Sequence, residues 1–404
     1  MKTPTQRRYG GFSLVELMVS VVIGMLALLF ATRLVISGEA NKDAAVGGSD
    51  SMQNGMLAMF SLSNDAGTAG WGLNDRTVNG CNTVFSDQRG YALMTAKQGG
   101  VDVTPLAPVV IESNGTAPDV ISFNSGNSNA GVGSMLMTAD YGGESFVVGA
   151  QGAPYGYNPG DVLVVAPQSP DRPCTIMQIS GFNPANGRSA EMLLGGGGQY
   201  RYNAAASMTQ AYAKNVTFMY NLGQPDRLHF HTWSVQNAIL LLRATDLAGA
   251  EESGVSVASN IVSIKAQYGF DNRALPNYDP NPAGNGTQML PTANGGMQIT
   301  RWSAQMMDAD NDGINGGPGD YQRIAAVRIA VVARSKTVEK PDRNGDCSAT
   351  TVLPTVFPTA VPSGVAAVPM PVAVAVAGDP VSWKCYRYRV FETIVPILNS
   401  QYRP

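Results

Sequence analysis

Six residues, Asp308-Ala309-Asp310-Asn311-Asp312-Gly313, set carboxylates at alternate positions and turn them with a glycine at the sixth. A hard cation wants several oxygens converging on a tight bend, so the run is the first half of an EF-hand-type Ca2+ loop with Asp308, Asp310 and Asp312 as candidate ligands. The twelfth position, where a bidentate glutamate belongs, is Gly319, and Asp320 follows one residue later. Two readings stay open: a calcium site that Asp320 completes in a loop longer than usual, or a solvated acidic turn. Residues 342–346 are a weaker echo, read as a turn.

The two histidines, His229 and His231, alternate in Arg227-Leu228-His229-Phe230-His231-Thr232-Trp233 and would share one strand face. Two imidazoles make half a zinc site, and no third ligand is evident, so a surface or packing role is expected. No nucleophile elbow, H-E-x-x-H, kinase or Rossmann signature appears. The four glycines at 195–198 are followed by no P-loop lysine. The chain is therefore read as a non-enzyme. It has 404 residues, 44% hydrophobic and 14% charged, with net charge -3 and no basic cluster beyond its first residues, which argues against a nucleic-acid surface.

The elements that must carry these groups start with a basic leader, residues 1–11, holding Lys2, Arg7, Arg8 and no acid. Residues 12–36 are almost unbroken apolar sequence, long enough to supply the roughly 20 residues that a helix needs to cross a bilayer. The positive leader keeps the N-terminus cytoplasmic and sends the rest outward. Arg33 can snorkel to headgroups, but Glu16 is poorly placed for lipid and needs a partner. A small pair, Gly10-Gly11, precedes the apolar run rather than following it. Cleavage there would leave the helix on the mature chain with a new amine on Phe12.

Four cysteines, Cys81, Cys174, Cys347 and Cys385, are widely spaced in an outward-facing region and read as two disulfides. Three pairings are possible, and proximity favours Cys81 with Cys174 and Cys347 with Cys385. The second would close a Pro-rich loop and stabilise by roughly 3 to 4 kcal/mol in the chain-entropy model. The helix should continue to about Asp65, with a bend or local melting at Gly47-Gly48, since two glycines cost a helix about 2 kcal/mol. Met52, Met56 and Phe60 recur every four residues, a stripe expected to pack on the head. From about Val101 to Val332 the pattern is β, in short runs such as 108–111, 119–123, 161–165 and 175–179 parted by Gly, Asn, Asp and Pro. The prolines of residues 350–380 forbid a helix and fit an extended, apolar segment, packed on its own domain or at a subunit interface.

Gly11-Phe12-Ser13-Leu14-Val15-Glu16-Leu17 resembles the class III signal of type IV pilins and type II secretion pseudopilins. The resemblance implies cleavage after Gly11 by a prepilin peptidase and methylation of Phe12. It also implies a partner for Glu16, the N-terminal amine of a neighbouring subunit. Residues 52–56 (M-Q-N-G-M), Asn64-Asp65, Ala69-Gly70-Trp71-Gly72 and Cys81 are similar to a narrower family, the PilW-like minor pilins. So are the strand 262–271 with its Gln267-Tyr268-Gly269, the strand 324–335, and the closing strand 386–396, after which Leu398-Asn399 replaces the family's Arg-Asn pair. The arginines of these alternating strands are expected to face water. In residues 82–250 and 272–319 no resemblance to the family is read.

The sequence thus predicts an α+β, pilin-like fold: a long N-terminal transmembrane and amphipathic helix packed on a large antiparallel β-rich globular head. The expected organisation is leader 1–11, transmembrane helix 12–37, periplasmic helix 38–70 and head 71–404. The expected function is that of a minor pilin that initiates or tips a type IV pilus, first in the inner membrane with a periplasmic head, then on the cell surface. Partners implied by the resemblance are prepilin peptidase, other minor pilins, the major pilin and a large tip adhesin, with no nucleic acid. The alternatives are a minor pseudopilin of type II secretion and a calcium-dependent adhesive module at the pilus tip.

Overall fold

The computed structural model describes residues 13–128, 134–142, 147–149, 156–169, 172–185, 189–195, 199–203, 210–274 and 297–401. The chain divides into two compact units, Met1–Asp50 and Ser51–Pro404.

One helix, Leu14–Thr68, runs through the N-terminal region for 55 residues. Its segment Leu14–Val35 has a mean hydropathy of 2.5 over its apolar window and buries none of it within the chain. The local melting expected at Gly47-Gly48 does not occur, because helical backbone continues through both glycines. Propagating an existing helix adds a hydrogen bond for each residue fixed, which offsets the glycine penalty in so long a segment.

In the second unit, the helix buries Ala58, Leu62 and Ala66 completely. This face, spaced three and four apart, is mostly small side chains that let a sheet come close, and a Cβ at Gly55 would stand 2.1 Å from the Phe391 ring. The methionine stripe is not the core face. Met52, Met56 and Phe60 are 40%, 50% and 72% exposed, because the face carrying Gly55, Ala58, Leu62 and Ala66 already occupies the sheet. Termination is built from several groups. Gly70 takes a left-handed φ of 88° and its N–H donates to Asn124 O, while the Asn399 side chain donates to Thr68 O and Ala69 O. The asparagine after the closing strand is thus a cap for the last orphan carbonyls of the helix.

The head is β-rich and mostly antiparallel, as expected. A four-stranded sheet orders Arg301–Ser303, Ile261–Phe270, Ile324–Arg334 and Tyr388–Pro396. A five-stranded sheet orders Val255–Ser259, Ile239–Ala244, His229–Gln236, Val120–Ser125 and Val109–Glu112. Both contribute to one core with the helix, including Trp233, Tyr268, Phe270, Val327 and Leu62. A six-stranded sheet, with its own apolar clusters, includes Cys81–Val84 paired in parallel with Cys174–Gln178. The disulfides are Cys81–Cys174 and Cys347–Cys385.

Two central strands depart from the alternation read in the sequence. Ile261–Phe270 is buried at every position and Ile324–Arg334 at all but the last. The Pro-rich segment packs on its own domain, laying Val356, Phe357, Met370, Val372 and Val374 against Val262, Ala330 and Val332. Covering both faces also buries Arg328, which was expected to face water. Its guanidinium lies 4.5 Å from the Phe357 ring centre and 4.6 Å from that of Trp302, and Nε donates to Gln267 at 2.8 Å. Arg334 is likewise held, over the Tyr386 ring and against Asp379, whereas Arg387 and Arg389 are exposed. A wholly buried ion pair, Lys265–Asp119, joins the two sheets of the core.

Candidate functional site

Gly11 and Phe12 lie outside the described residues. Glu16 stands in the first turn of the long helix, where a carboxylate meets the positive end of the helix dipole. Around it Leu14, Val15, Leu17 and Met18 are all exposed. This end of the chain therefore offers a carboxylate set in an uncovered apolar surface.

In the second unit, the last turns of the helix meet the strand His229–Gln236. Asp65 Oδ2 accepts from Trp233 Nε1 at 2.8 Å and from His231 Nδ1 at 2.7 Å. The other ring nitrogen, His231 Nε2, is 2.8 Å from Asp246 Oδ1. His229 stacks on His231 with ring centres 5.5 Å apart and planes 7° apart, and its Nε2 is 3.7 Å from Asp246 Oδ2. Burial works against the His231 imidazolium, but its bonds to Asp246 and Asp65 outweigh that and push its pKa up to about 9. Burial likewise opposes the Asp246 carboxylate, and His231 holds it below the usual range.

The sequence shows that the histidines share a face, and they do. It did not yield Asp246 or Asp65. The signal for Asp246 is the hairpin: Gln236 pairs with Ile239 and His231 with Ala244, across a two-residue turn in which Asn237 and Ala238 both have positive φ. Extending that register by one same-face step sets Asp246 opposite His229. Asp65 comes from the helix and carries no local signal.

The acidic loop brings its three predicted carboxylates together, with ligand atoms of Asp308, Asp310 and Asp312 within 4.8 Å of one another. Asp308 accepts from the N–H groups of Asp312 and Gly313, and Asp312 from that of Ile314. Asp320 does different work. Its oxygens accept from the backbone N–H groups of Ala309, Asp310, Gly316 and Gly317, so it anchors the loop from inside. A Cβ on Gly319 would stand 1.7 Å from Asp310 Oδ2, which leaves no room for a side chain at the twelfth position. Burial, with Asp312 and Asp308 adding, raises the Asp310 pKa; burial, with Asp310 adding, pushes Asp320 up to about 6.

An uncovered N-terminal apolar helix joined to a β-rich head is the arrangement of a prepilin, and residues 6–32 match the model of the prokaryotic N-terminal methylation motif. Residues 233–399 match the model of the type IV pilus-assembly protein W family. Together the two matches support a PilW-like prepilin, a minor pilin related to type IV pili. The second match spans the four-stranded sheet, the Pro-rich cover and the capping Asn399, which are the parts that close the core over the helix. No curated protein and no solved structure matches the chain.

Proposed function

We propose that the chain is a minor pilin that starts or tips a type IV pilus after cleavage between Gly11 and Phe12 and methylation of Phe12. The observation that carries this reading is the apolar segment Leu14–Val35, none of whose hydrophobic window is covered by the chain. So large an apolar surface needs lipid at one stage and neighbouring helices at another. The helix stores the subunit in the inner membrane with the head in the periplasm. Glu16 then sets its register against the amine of a neighbouring subunit as helices bundle. Prepilin peptidase, other minor pilins and the major pilin are the partners of this route, with a large tip adhesin beyond them.

Glu16→Ala should abolish or sharply reduce recovery of the protein in sheared filaments while leaving the unfolding midpoint of the head unchanged. Normal incorporation of that variant would overturn the proposed role of Glu16. A minor pseudopilin would share the N-terminal chemistry but remain with the membrane. A second reading, calcium binding at Asp308, Asp310 and Asp312, rests on the convergence of their carboxylates. It would add a calcium-dependent adhesive module to the same subunit.

A further inference from the structure

We infer that His229, His231 and Asp246 form a Zn2+ site on the head. All three offer ligand atoms within 4.8 Å of one another. Donor atoms sharing a tetrahedral zinc ion lie about 3.3 to 3.6 Å apart, given zinc–ligand distances of about 2.0 to 2.2 Å. His231 Nε2 lies 2.8 Å from Asp246 Oδ1 and His229 Nε2 lies 3.7 Å from Asp246 Oδ2, on either side of that spacing, so small side-chain rotations bring the three donors onto one ion. Two imidazoles and one carboxylate are a donor set that zinc accepts with its fourth position left open.

The surroundings build the site further than three donors alone. A histidine ligand needs its other ring nitrogen fixed by an acceptor, which sets the tautomer and turns the lone pair to the metal. Asp65 occupies that place at His231 Nδ1 and is itself held by Trp233 Nε1. The nitrogen left over, Nε2, is the one aimed at Asp246. His229 needs no rearrangement of the core to join, since its side chain is 46% exposed and parallel to its neighbour. On binding, the Nε2 proton of His231 passes to solvent and Asp246 changes from hydrogen-bond acceptor to co-ligand. The ion would tie the hairpin, through His231 and Asp65, to the last turns of the long helix. Water or a donor from another molecule would complete the tetrahedron.

The test uses the full chain in detergent, purified without a histidine tag and stripped with a chelator. Zn2+ is titrated against a chromophoric chelator. One ion per chain is expected, weakened at least about tenfold by His229→Ala and about 10- to 100-fold by Asp65→Asn, and unchanged by Asp310→Ala. Co2+ in place of Zn2+ should give a d–d absorption band in wild type that His229→Ala and Asp246→Asn each remove. The unfolding midpoint of His229→Ala in chelator should equal that of wild type, which separates loss of a ligand from loss of the fold. Absence of saturable Zn2+ uptake, or a Zn2+ affinity and a Co2+ band that His229→Ala leaves unchanged, would overturn the site.

Discussion

Lys265 and Asp119 are both 0% exposed, one from the strand Ile261–Phe270 and the other beside the strand Val120–Ser125. Lys265 Nζ donates to the Asp119 carboxylate and to the carbonyls of Gly115 and Ala117, and Asp119 also accepts from the N–H groups of Asn114 and Ala266. Lys265→Met keeps most of the volume and removes the charge, stranding a carboxylate in the core. Breaking a buried pair in this way costs about 3 to 5 kcal/mol. The pH response gives a second check. Burial raises the Asp119 pKa even with Lys265 present, so the folded state binds more protons than the unfolded chain across that window. Stability from this group is therefore greater on the acid side and falls as pH rises, opposite to the usual carboxylate. Without Lys265 the pKa rises further, and the deficit of Lys265→Met should shrink on moving from pH 7.5 toward pH 5. The paired change Lys265→Met with Asp119→Leu should recover most of the loss. Urea unfolding of the full chain in detergent, followed by tryptophan fluorescence, measures all three variants. A deficit below about 1 kcal/mol for Lys265→Met, or one that grows on acidification, would refute the reasoning.

His231 provides a window of opposite practical range. Its folded pKa of about 9 lies above the ordinary 6.5, so its contribution is full below pH 6.5 and is lost as pH rises through 9. The difference corresponds to about 3 kcal/mol; urea unfolding in chelator should fall by that order between pH 6.5 and 9.5, and Asp65→Asn should flatten the fall. A profile identical in wild type and Asp65→Asn would contradict the clamp. For the acidic loop, millimolar Ca2+ should raise the unfolding midpoint of wild type and leave Asp310→Ala unmoved. No shift in either would remove the calcium reading.

Much of the fold was legible because local pattern and burial agreed. The runs read at 108–111, 119–123, 161–165 and 175–179 appear as the strands Val109–Glu112, Val120–Ser125, Val162–Pro167 and Cys174–Gln178. Cysteine proximity led to the disulfides that form. What failed was whatever depended on a remote layer. Arg328 reads as a solvent-facing strand residue until Phe357 and Trp302, from two other segments, close over it. Met52, Met56 and Phe60 have helical spacing, but spacing alone does not tell which of two faces meets the sheet; Gly55 under Phe391 does. The site at His229 and His231 was half visible, since strand alternation pairs the histidines while Asp246 needs hairpin register and Asp65 needs the docked helix. The acidic loop was readable as far as its three aspartates. That Gly319 is empty because Asp310 fills its side-chain space follows only from the folded loop.

The central claim is that this chain is processed at Gly11-Phe12 and carried into a pilus. Mass spectrometry of the N-terminal peptide, in sheared surface filaments and separately in the membrane fraction, addresses it most directly. A peptide beginning with methylated Phe12 in the sheared fraction is the expected result. Processed peptide confined to the membrane would contradict placement in the filament and favour a pseudopilin or a priming subunit. An intact Met1 leader in both fractions would contradict the processing itself.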